Sequence, residues 1–179
     1  RTGLIRFDER SGRFQTFNSS DSRPIPAGYV DQLVDAGDSF WLSAQGGGLQ
    51  RRALDGNIME TITAGQAGLD SVDTEQLLRT VDDNLWWSGA TGLRRRKPGS
   101  RNFEKPEGSP EGRIFGFDLQ GEHLWLHRME GLEHYRISGD TLQLLETVNE
   151  RAGLPSVESG GVSVDKRGDV WLTTARGLY

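Results

Sequence analysis

The fold is decided by one stretch near the end of the chain, VSVDKRGDVWLTTARGLY, residues 162–179. Apolar residues alternate at its start, DKRGD (165–169) is typical of a turn, and VWLTT (170–174) resumes a β-branched and aromatic run. Gly177 then offers the positive φ that a second tight turn requires. The stretch predicts a β-hairpin followed by the start of a third antiparallel strand.

This pattern repeats along the chain with a period of roughly 44 residues. Its tryptophans lie 45, 39 and 46 residues apart, and a Gly-Leu pair follows each of them. The repeated positions are Trp41, Trp86, Trp125 and Trp171 for the tryptophans, and Gly48, Gly92, Gly131 and Gly177 for the glycines. A fifth pair, Gly3-Leu4, comes before the first tryptophan, so the chain is expected to open and close within a unit.

A complete unit is predicted to contain four strands. Residues 49–53 read as a third strand, 55–57 as a turn and 58–62 as a fourth strand, and residues 3–8 and 13–17 read as the same two strands. Repeated sheets of four short antiparallel strands are typical of β-propeller blades, in which neighbouring blades cover both faces of each sheet. The sequence therefore predicts an all-β fold, a β-propeller with four blades of four antiparallel strands.

The chain is expected to form a single β-propeller region over residues 1–179. Its approximate units are 1–18 (the end of a blade), 29–62, 76–106, 113–147 and 160–179 (the start of a blade). Each tryptophan falls at the same phase of a second strand, where a large flat side chain would fill the wedge between adjacent blades.

Composition and charge exclude several other classes of protein. The chain of 179 residues is 34% hydrophobic and 26% charged, which is typical of a globular protein. It has no cysteine, which excludes a disulfide framework, a cysteine zinc site and a thiol nucleophile. Its net charge of -5 argues against binding to nucleic acid. No apolar run is long enough for a membrane helix and no export signal is recognisable, so we expect no membrane insertion of this region.

The stretch DKRGDVWLTTARGLY, residues 165–179, resembles the two-component regulator propeller repeat, in which an acidic turn, a tryptophan strand and a Gly-Leu strand recur. AGLPS (152–156) resembles the Gly-Leu-Pro-Ser entry to the first strand of that repeat, and AGLDS (67–71) repeats it with aspartate in place of proline. DDNLWW (82–87) and GEHLW (121–125) are looser copies. The resemblance covers essentially the whole chain.

The resemblance implies a sensor. Proteins with these repeats are typically periplasmic input regions of inner-membrane sensors with histidine kinase or diguanylate cyclase output modules, and their ligands are often carbohydrates. The expected function is therefore ligand sensing or protein interaction in signal transduction, with no enzyme activity and no cofactor in this region. The expected ligand is a carbohydrate or another small molecule.

Rings of that family usually have seven blades, which four units do not complete. We favour an arc of a larger seven- or eight-bladed ring, whose exposed edges further blades or a second copy of the chain would cover. Two alternatives stay open: a small four-bladed ring in which the two ends of the chain share one blade, and an eight-bladed ring assembled from two chains.

A ligand is expected near the propeller axis, on the face that carries the turns between second and third strands. Trp87 stands out there, because the other repeats have leucine at its position. An aromatic ring at this face could stack on a sugar, and better core packing in one blade is the other interpretation. The candidate ligand-binding residues are Gln45, Trp87, Thr91, His127, Arg128, Glu130 and Arg176, with the connections 19–29 and 101–111.

Three histidines, His123, His127 and His134, fall within one unit. Strand alternation places His123, Trp125 and His127 on one face. Because no carboxylate cluster accompanies them, neither a metal site nor a catalytic residue is assigned. They leave open one alternative function, a propeller enzyme of the streptogramin-lyase-like kind.

Two charged patterns are interpreted as structural. The basic run RRRK (94–97) is expected to be a solvated strand near the rim. The acids that recur before the hairpin turns are expected to bond the turn backbone. They are Asp35, Asp82, Asp118 and Asp165.

Overall fold

The chain forms five small antiparallel β-sheets that follow one another along the sequence, in a computed structural model that describes residues 3–26, 29–154, 160–174 and 177–178. The first sheet contains β1 (Leu4–Asp8) and β2 (Arg13–Phe17), and the second contains β3 (Tyr29–Asp35), β4 (Ser39–Gln45), β5 (Gly48–Ala53) and β6 (Ile58–Ile62). The third contains β7 (Thr74–Arg79), β8 (Leu85–Gly89) and β9 (Gly92–Arg96). The fourth contains β10 (Gly116–Gln120), β11 (His123–Arg128), β12 (Gly131–Ser138) and β13 (Thr141–Val148). A 3₁₀ helix (Glu150–Ala152) precedes the fifth, which contains β14 (Val162–Val164), β15 (Val170–Thr174) and β16 (Gly177–Leu178).

The predicted all-β fold of antiparallel hairpins is confirmed, because in every sheet the strands pair in sequence order. The third sheet differs from the expected four strands, since only β7, β8 and β9 form within the described residues. In place of a fourth strand, Glu104 exchanges two backbone hydrogen bonds of 2.8 Å with Arg95. Pro98 and Pro106 flank this bridge, and proline cannot donate to a ladder, which limits the pairing to one bridge.

The glycine after each second strand has a positive φ, as the turn chemistry predicts. The values are +99° at Gly48, +101° at Gly92, +129° at Gly131 and +145° at Gly177. At Gly48 a second constraint applies, because a Cβ atom would lie 2.2 Å from the carbonyl oxygen of Ile62 on β6. Glycine therefore permits both the turn and the close approach of the fourth strand.

Three apolar clusters join consecutive sheets and form the core. The first cluster joins the second sheet to the third, and includes Trp41, Leu49, Leu77 and Trp87. The second joins the third sheet to the fourth, and includes Trp86, Leu93, Phe117 and Leu126. The third joins the fourth sheet to the fifth, and includes Leu132, Leu154, Val162 and Leu172.

The repeated tryptophans pack toward the sheet that follows them in the sequence. Trp41 and Trp86 are buried in the first two clusters, and Trp125 is half-buried against the third. Trp171 departs from the expected wedge, because its side chain is 42% exposed. No sheet follows the fifth within the described residues, so this indole has no blade to pack against.

Glutamine side chains on the first strands also join neighbouring sheets. On β3, Gln32 donates to the carbonyl oxygen of Glu75 (2.6 Å) and accepts from the N–H of Leu77 (2.7 Å) on β7. On β7, Gln76 donates to the carbonyl oxygen of Phe117 (2.7 Å) and accepts from its N–H (2.9 Å) on β10. Each amide thus bonds one backbone N–H and one backbone C=O on the first strand of the following sheet.

The junction between the fourth and fifth sheets uses other side chains. Asp118 on β10 accepts from the N–H of Val164 (2.7 Å), so it joins two sheets instead of stabilising a turn as predicted. It does so because it lies within the strand, two residues before the turn begins. His127 on β11 contacts the carbonyl oxygen of Gly160 through Nδ1 at 3.1 Å. Gly116 on β10 pairs with His127, and a Cβ on this glycine would lie 3.0 Å from the same oxygen. The backbone at the start of β10 therefore approaches the backbone of Gly160 closely.

A buried arginine joins the first and second sheets. Arg52 has no exposed surface, and its guanidinium lies 5.5 Å from the ring centre of Phe17 at the end of β2. It donates to the side chain of Gln50 (2.7 Å) and to the carbonyl oxygens of Gly56 (2.9 Å) and Pro24 (2.7 Å). It also donates to the carbonyl oxygen of Arg23 (3.0 Å). Burial lowers the pKa of Arg52, and the four acceptors compensate its desolvation.

The two terminal sheets are separate. Among the described residues, β1–β2 and β14–β16 share no strand pairing. The number of blades in a complete ring stays a prediction. No helix in the described part of the chain is long and apolar enough to cross a membrane.

Candidate functional site

The turns between second and third strands open on the same face as the connections between sheets, which we call the mouth face. Three contacts show this. In the turn of the second sheet, Gly46 donates to the carboxylate of Asp73 (3.3 Å), which lies in the connection to the third sheet. The turns of the third and fourth sheets approach the connection between those sheets. A Cβ on Gly92 would lie 3.2 Å from the carbonyl oxygen of Pro110, and Arg128 donates to the carbonyl oxygen of Glu111 (2.8 Å). The predicted position of the turns relative to the connections is therefore observed.

Two adjoining cavities lie at the mouth face beside the innermost strands, and we call them together the axial site. They share Glu75. The first has a volume of about 410 Å³ and is lined by Gln45, Gly46, Asp73, Thr74, Glu75 and Arg113. The second has a volume of about 530 Å³, and its lining includes Gln32, Gln76, Phe115, Gly160 and Gly161.

Charged and aromatic side chains converge at the axial site. The guanidinium of Arg113 forms two contacts with the carboxylate of Glu75, one of them from Nε at 2.6 Å. The same guanidinium lies 5.8 Å from the ring centre of Phe115, which is half-buried. The carboxylate lines both cavities, the guanidinium lines the first and the aromatic ring lines the second. Such groups can bond hydroxyl groups and stack on an apolar ring face.

Of the residues predicted to bind a ligand, Gln45 lines the axial site and is exposed. Arg128 and Glu130 form a separate group on the mouth face of the fourth sheet, joined by an ion pair of 3.2 Å. Thr91 lies at the corresponding turn of the third sheet, where its carbonyl oxygen accepts from Arg94 (3.2 Å). Arg176 lies outside the described residues.

The group around Arg128 extends into the core. Arg128 also pairs with the carboxylate of Glu133 at 2.9 Å, and Glu133 accepts a hydrogen bond of 2.7 Å from the hydroxyl of Tyr135. Burial, reinforced by this acceptor, raises the pKa of Tyr135. Thr91 Oγ1 and Arg128 Nε are buried without a hydrogen-bond partner among the described residues.

Trp87 does not lie open at the mouth face as the stacking hypothesis required. Its side chain has no exposed surface and belongs to the first core cluster. Its indole N–H donates to Thr74 Oγ1 at 2.9 Å. The ring packs toward the second sheet. The equivalent leucines of the later repeats likewise pack toward the sheet that precedes them. Core packing therefore explains this tryptophan.

The three histidines separate into two environments. His123 Nδ1 lies 2.8 Å from His134 Nε2, and His134 Nδ1 lies 3.1 Å from a carboxylate oxygen of Glu146. Trp125 stacks on the His134 ring, with ring centres 3.9 Å apart. His127 is fully buried and faces Gly160, as described above. Within the described ranges, no group of three or more histidine or acidic side chains is arranged to hold a metal ion.

Three residues of the axial site are not predicted from the sequence: Glu75, Arg113 and Phe115. These residues belong to no repeated motif, and Arg113 and Phe115 lie just after the connection 101–111 that was singled out. Glu75 and Arg113 are 38 residues apart in the chain and meet only because the first strands of successive sheets adjoin.

No family model matches the sequence, and no curated protein matches it. Solved structures do match. The extracellular domain assigned to a hybrid two component system of B. thetaiotaomicron has a TM-score of 0.76 and 16% identity, with 99% of this chain and 25% of that chain covered. The extracellular domain assigned to a one component system of the same organism has a TM-score of 0.54 and 18% identity, with 99% of this chain and 30% of that chain covered.

An enzyme also shares the fold. A gluconolactonase from Xanthomonas campestris has a TM-score of 0.64 and 14% identity, with 98% of this chain and 67% of that chain covered. The chain spans between a quarter and a third of the length of the two extracellular domains it matches. It is therefore an all-β chain with the β-propeller fold, and extracellular domains of bacterial sensor systems are among the solved structures that it resembles.

Proposed function

We propose that the chain is a ligand-sensing region of an extracytoplasmic propeller, in a membrane-bound bacterial sensor of the histidine kinase or diguanylate cyclase type. The observation that carries this proposal is the match of 99% of the chain to an extracellular sensor domain at a TM-score of 0.76. The localisation that accompanies it is the periplasm. The output module would lie elsewhere in the parent protein.

The proposed ligand is a carbohydrate or another small polar molecule bound at the axial site. Glu75 and Arg113 supply an acceptor and donors for hydroxyl groups, and Gln45, which lines the same cavity, supplies both. Phe115 supplies a ring face of the kind on which sugars stack. Because these groups come from three different sheets or connections, a ligand that contacts all of them would also fix the relative positions of the sheets.

The proposed role is non-enzymatic for this region. A lyase that used the clustered histidines would need one of them at the ligand. The histidine pair, His123 and His134, lies on β11 and β12 and lines neither cavity of the axial site, while His127 is buried. The proposed partners are further blades of the parent propeller or a second copy of the chain.

The test is a thermal-shift screen of the chain against a panel of oligosaccharides, followed by isothermal titration of those that raise the melting temperature. Glu75→Gln and Phe115→Ala should each weaken binding about tenfold, since each removes one charge-assisted or stacking contact. Glu122→Gln, an exposed substitution of the same chemistry on the opposite face, is the matched control and should leave the affinity unchanged. Absence of any shift, or equal affinities in all three variants, would overturn the proposal.

A further inference from the structure

A third cavity, of about 350 Å³, opens between the second and third sheets on the face opposite the mouth. It lies where β5, β7 and β9 end, beside the turn that follows β9. Its floor is formed by Trp41 and Leu85. The charged residues that line it are Arg51, Arg79, Asp83, Arg96, Lys97 and Arg101. We call this cavity the basic groove.

The basic groove gathers five cations in a chain that is acidic overall, and the carboxylates of Asp38, Asp83, Glu60 and Asp140 pair with four of them. Five of its lining residues carry a positive charge, and Asp83 is the one carboxylate among the described residues that line it. The net charge of the whole chain is -5. A solvated basic strand, as the sequence predicts for residues 94–97, does not explain why cations from three strands and a turn meet over one cavity.

The innermost cation is held in place by its neighbours. The guanidinium of Arg96 lies 5.1 Å from the ring centre of Trp41. Its Nε donates to the carbonyl oxygen of Ser100 (2.7 Å), and Nη1 donates to both carboxylate oxygens of Glu60 (3.0 and 3.1 Å). These contacts fix the plane of the guanidinium, and they leave Nη2 without a hydrogen bond among the described residues.

The two outer arginines, Arg51 and Arg79, pair with exposed carboxylates. Arg51 donates from Nε to Ser39 Oγ (2.9 Å) and from Nη2 to Asp38 (3.3 Å), and Arg79 contacts Asp83 and, at 3.9 Å, Asp35. The Arg79 side chain is 30% exposed, whereas that of Asp35 is 79% exposed. Water therefore screens the Asp35 carboxylate more than the Arg79 guanidinium, so an anionic ligand can compete for this arginine.

We infer that the basic groove is a binding site for an oxyanion, the carboxylate or sulfate group of a small acidic ligand. Arg51 Nη1, Arg79 Nε and Arg96 Nη2 make no hydrogen bond among the described residues, so they remain as donors to such a group. The fixed orientation of these guanidiniums reduces the entropy lost on binding. Asp83 competes with the ligand for Arg79. This site is separate from the axial site and does not depend on the function proposed for it.

Isothermal titration of the whole chain at low ionic strength tests the inference, with sodium sulfate and sodium glucuronate as probes and glucose as the neutral comparison. The two anions should bind at one site and glucose should not. Arg51→Gln and Arg79→Gln should each weaken anion binding about tenfold, because each removes charge-assisted donors. Asp83→Asn should strengthen it, since it removes the competing charge.

Arg136→Gln is the matched control, because this exposed arginine lies on β12, away from the groove. Circular dichroism checks the fold of every variant, and Arg101→Gln on the exposed rim replaces any core-side variant that fails to fold. No anion binding by the unaltered chain would overturn the inference. So would glucose binding as tightly as glucuronate in the Glu75→Gln variant, in which the axial site is impaired. An Arg136→Gln effect equal to that of Arg79→Gln, or weaker binding in Asp83→Asn, would also overturn it. Glu75→Gln should leave anion binding unchanged, which separates this result from that for the axial site.

Discussion

The side-chain amide of Gln76 bonds to both backbone groups of Phe117, donating to the carbonyl oxygen at 2.7 Å and accepting from the N–H at 2.9 Å. Gln32 does the same one repeat earlier, toward two residues of β7. These amides pair the inner edges of adjacent sheets, which the apolar clusters also join. The blade junction is therefore held by hydrogen bonds near the axis and by indole packing farther out.

Gln76→Ala should lower the free energy of unfolding by about 2 to 3 kcal/mol, because the N–H and C=O of the fully buried Phe117 lose their partners. Gln143→Ala, an exposed glutamine on β13, is the matched control and should cost less than about 0.5 kcal/mol. Urea unfolding followed by tryptophan fluorescence measures both. Equal costs in the two variants would show that the amide does not stabilise the junction.

Gly48→Ala should be more destabilising than Gly46→Ala in the same turn. Both glycines have a positive φ, +99° and +71°, so each substitution strains the backbone by about 1 kcal/mol. Only at Gly48 would the added Cβ also meet the carbonyl oxygen of Ile62, whereas it would meet no atom within 4 Å at Gly46. We expect a total cost of about 3 kcal/mol at Gly48 in denaturant unfolding. The close approach of β6 would be refuted by similar losses in the two variants.

Trp86→Ala should cost about 4 kcal/mol, because it empties a buried site between the third and fourth sheets. Trp171→Ala should cost about 1 kcal/mol, since that indole is 42% exposed. Thermal unfolding of both variants at two protein concentrations makes the comparison. A Trp171→Ala loss as large as that of Trp86→Ala would mean that a second copy of the chain covers this face.

Much of the fold follows from local sequence. Alternation and turn residues predict the hairpins, and the glycine of each Gly-Leu pair predicts the positive φ at Gly48. Trp87 could not be placed from its own strand, because its burial depends on the second sheet packing over it. The amides of Gln32 and Gln76 recur about one repeat apart, so the sequence contained a signal for them that was not used. The ion pair of Glu75 and Arg113 had no such signal, since it forms only when the inner strands adjoin.

Acid should destabilise the chain through its turn aspartates. The backbone N–H of Arg167 donates to Asp165 at 2.8 Å and lowers the pKa of that carboxyl, and the Thr80 hydroxyl does the same for Asp82. Each carboxyl therefore has a lower pKa in the folded chain than the value of about 3.9 in the unfolded chain. Its contribution to the free energy of unfolding is complete above about pH 3.9, and it is lost as the pH falls through the folded pKa.

The melting temperature should therefore be flat from pH 7 to about pH 5 and fall below about pH 4. The double variant Asp82→Asn and Asp165→Asn should have a lower melting temperature at pH 7 and a shallower fall in acid. Differential scanning calorimetry across this range checks the slope. A variant curve parallel to that of the unaltered chain would contradict the assignment of these turns.

Hydrogen–deuterium exchange with the oligosaccharide that gives the largest thermal shift tests the proposed ligand site most directly. We predict slower exchange at residues 73–76 and 113–115, which border the axial site, and unchanged exchange in the opposite-face turns at 80–84 and 120–122. Protection of those opposite-face turns, with no change at residues 73–76 and 113–115, would contradict a ligand at the propeller axis.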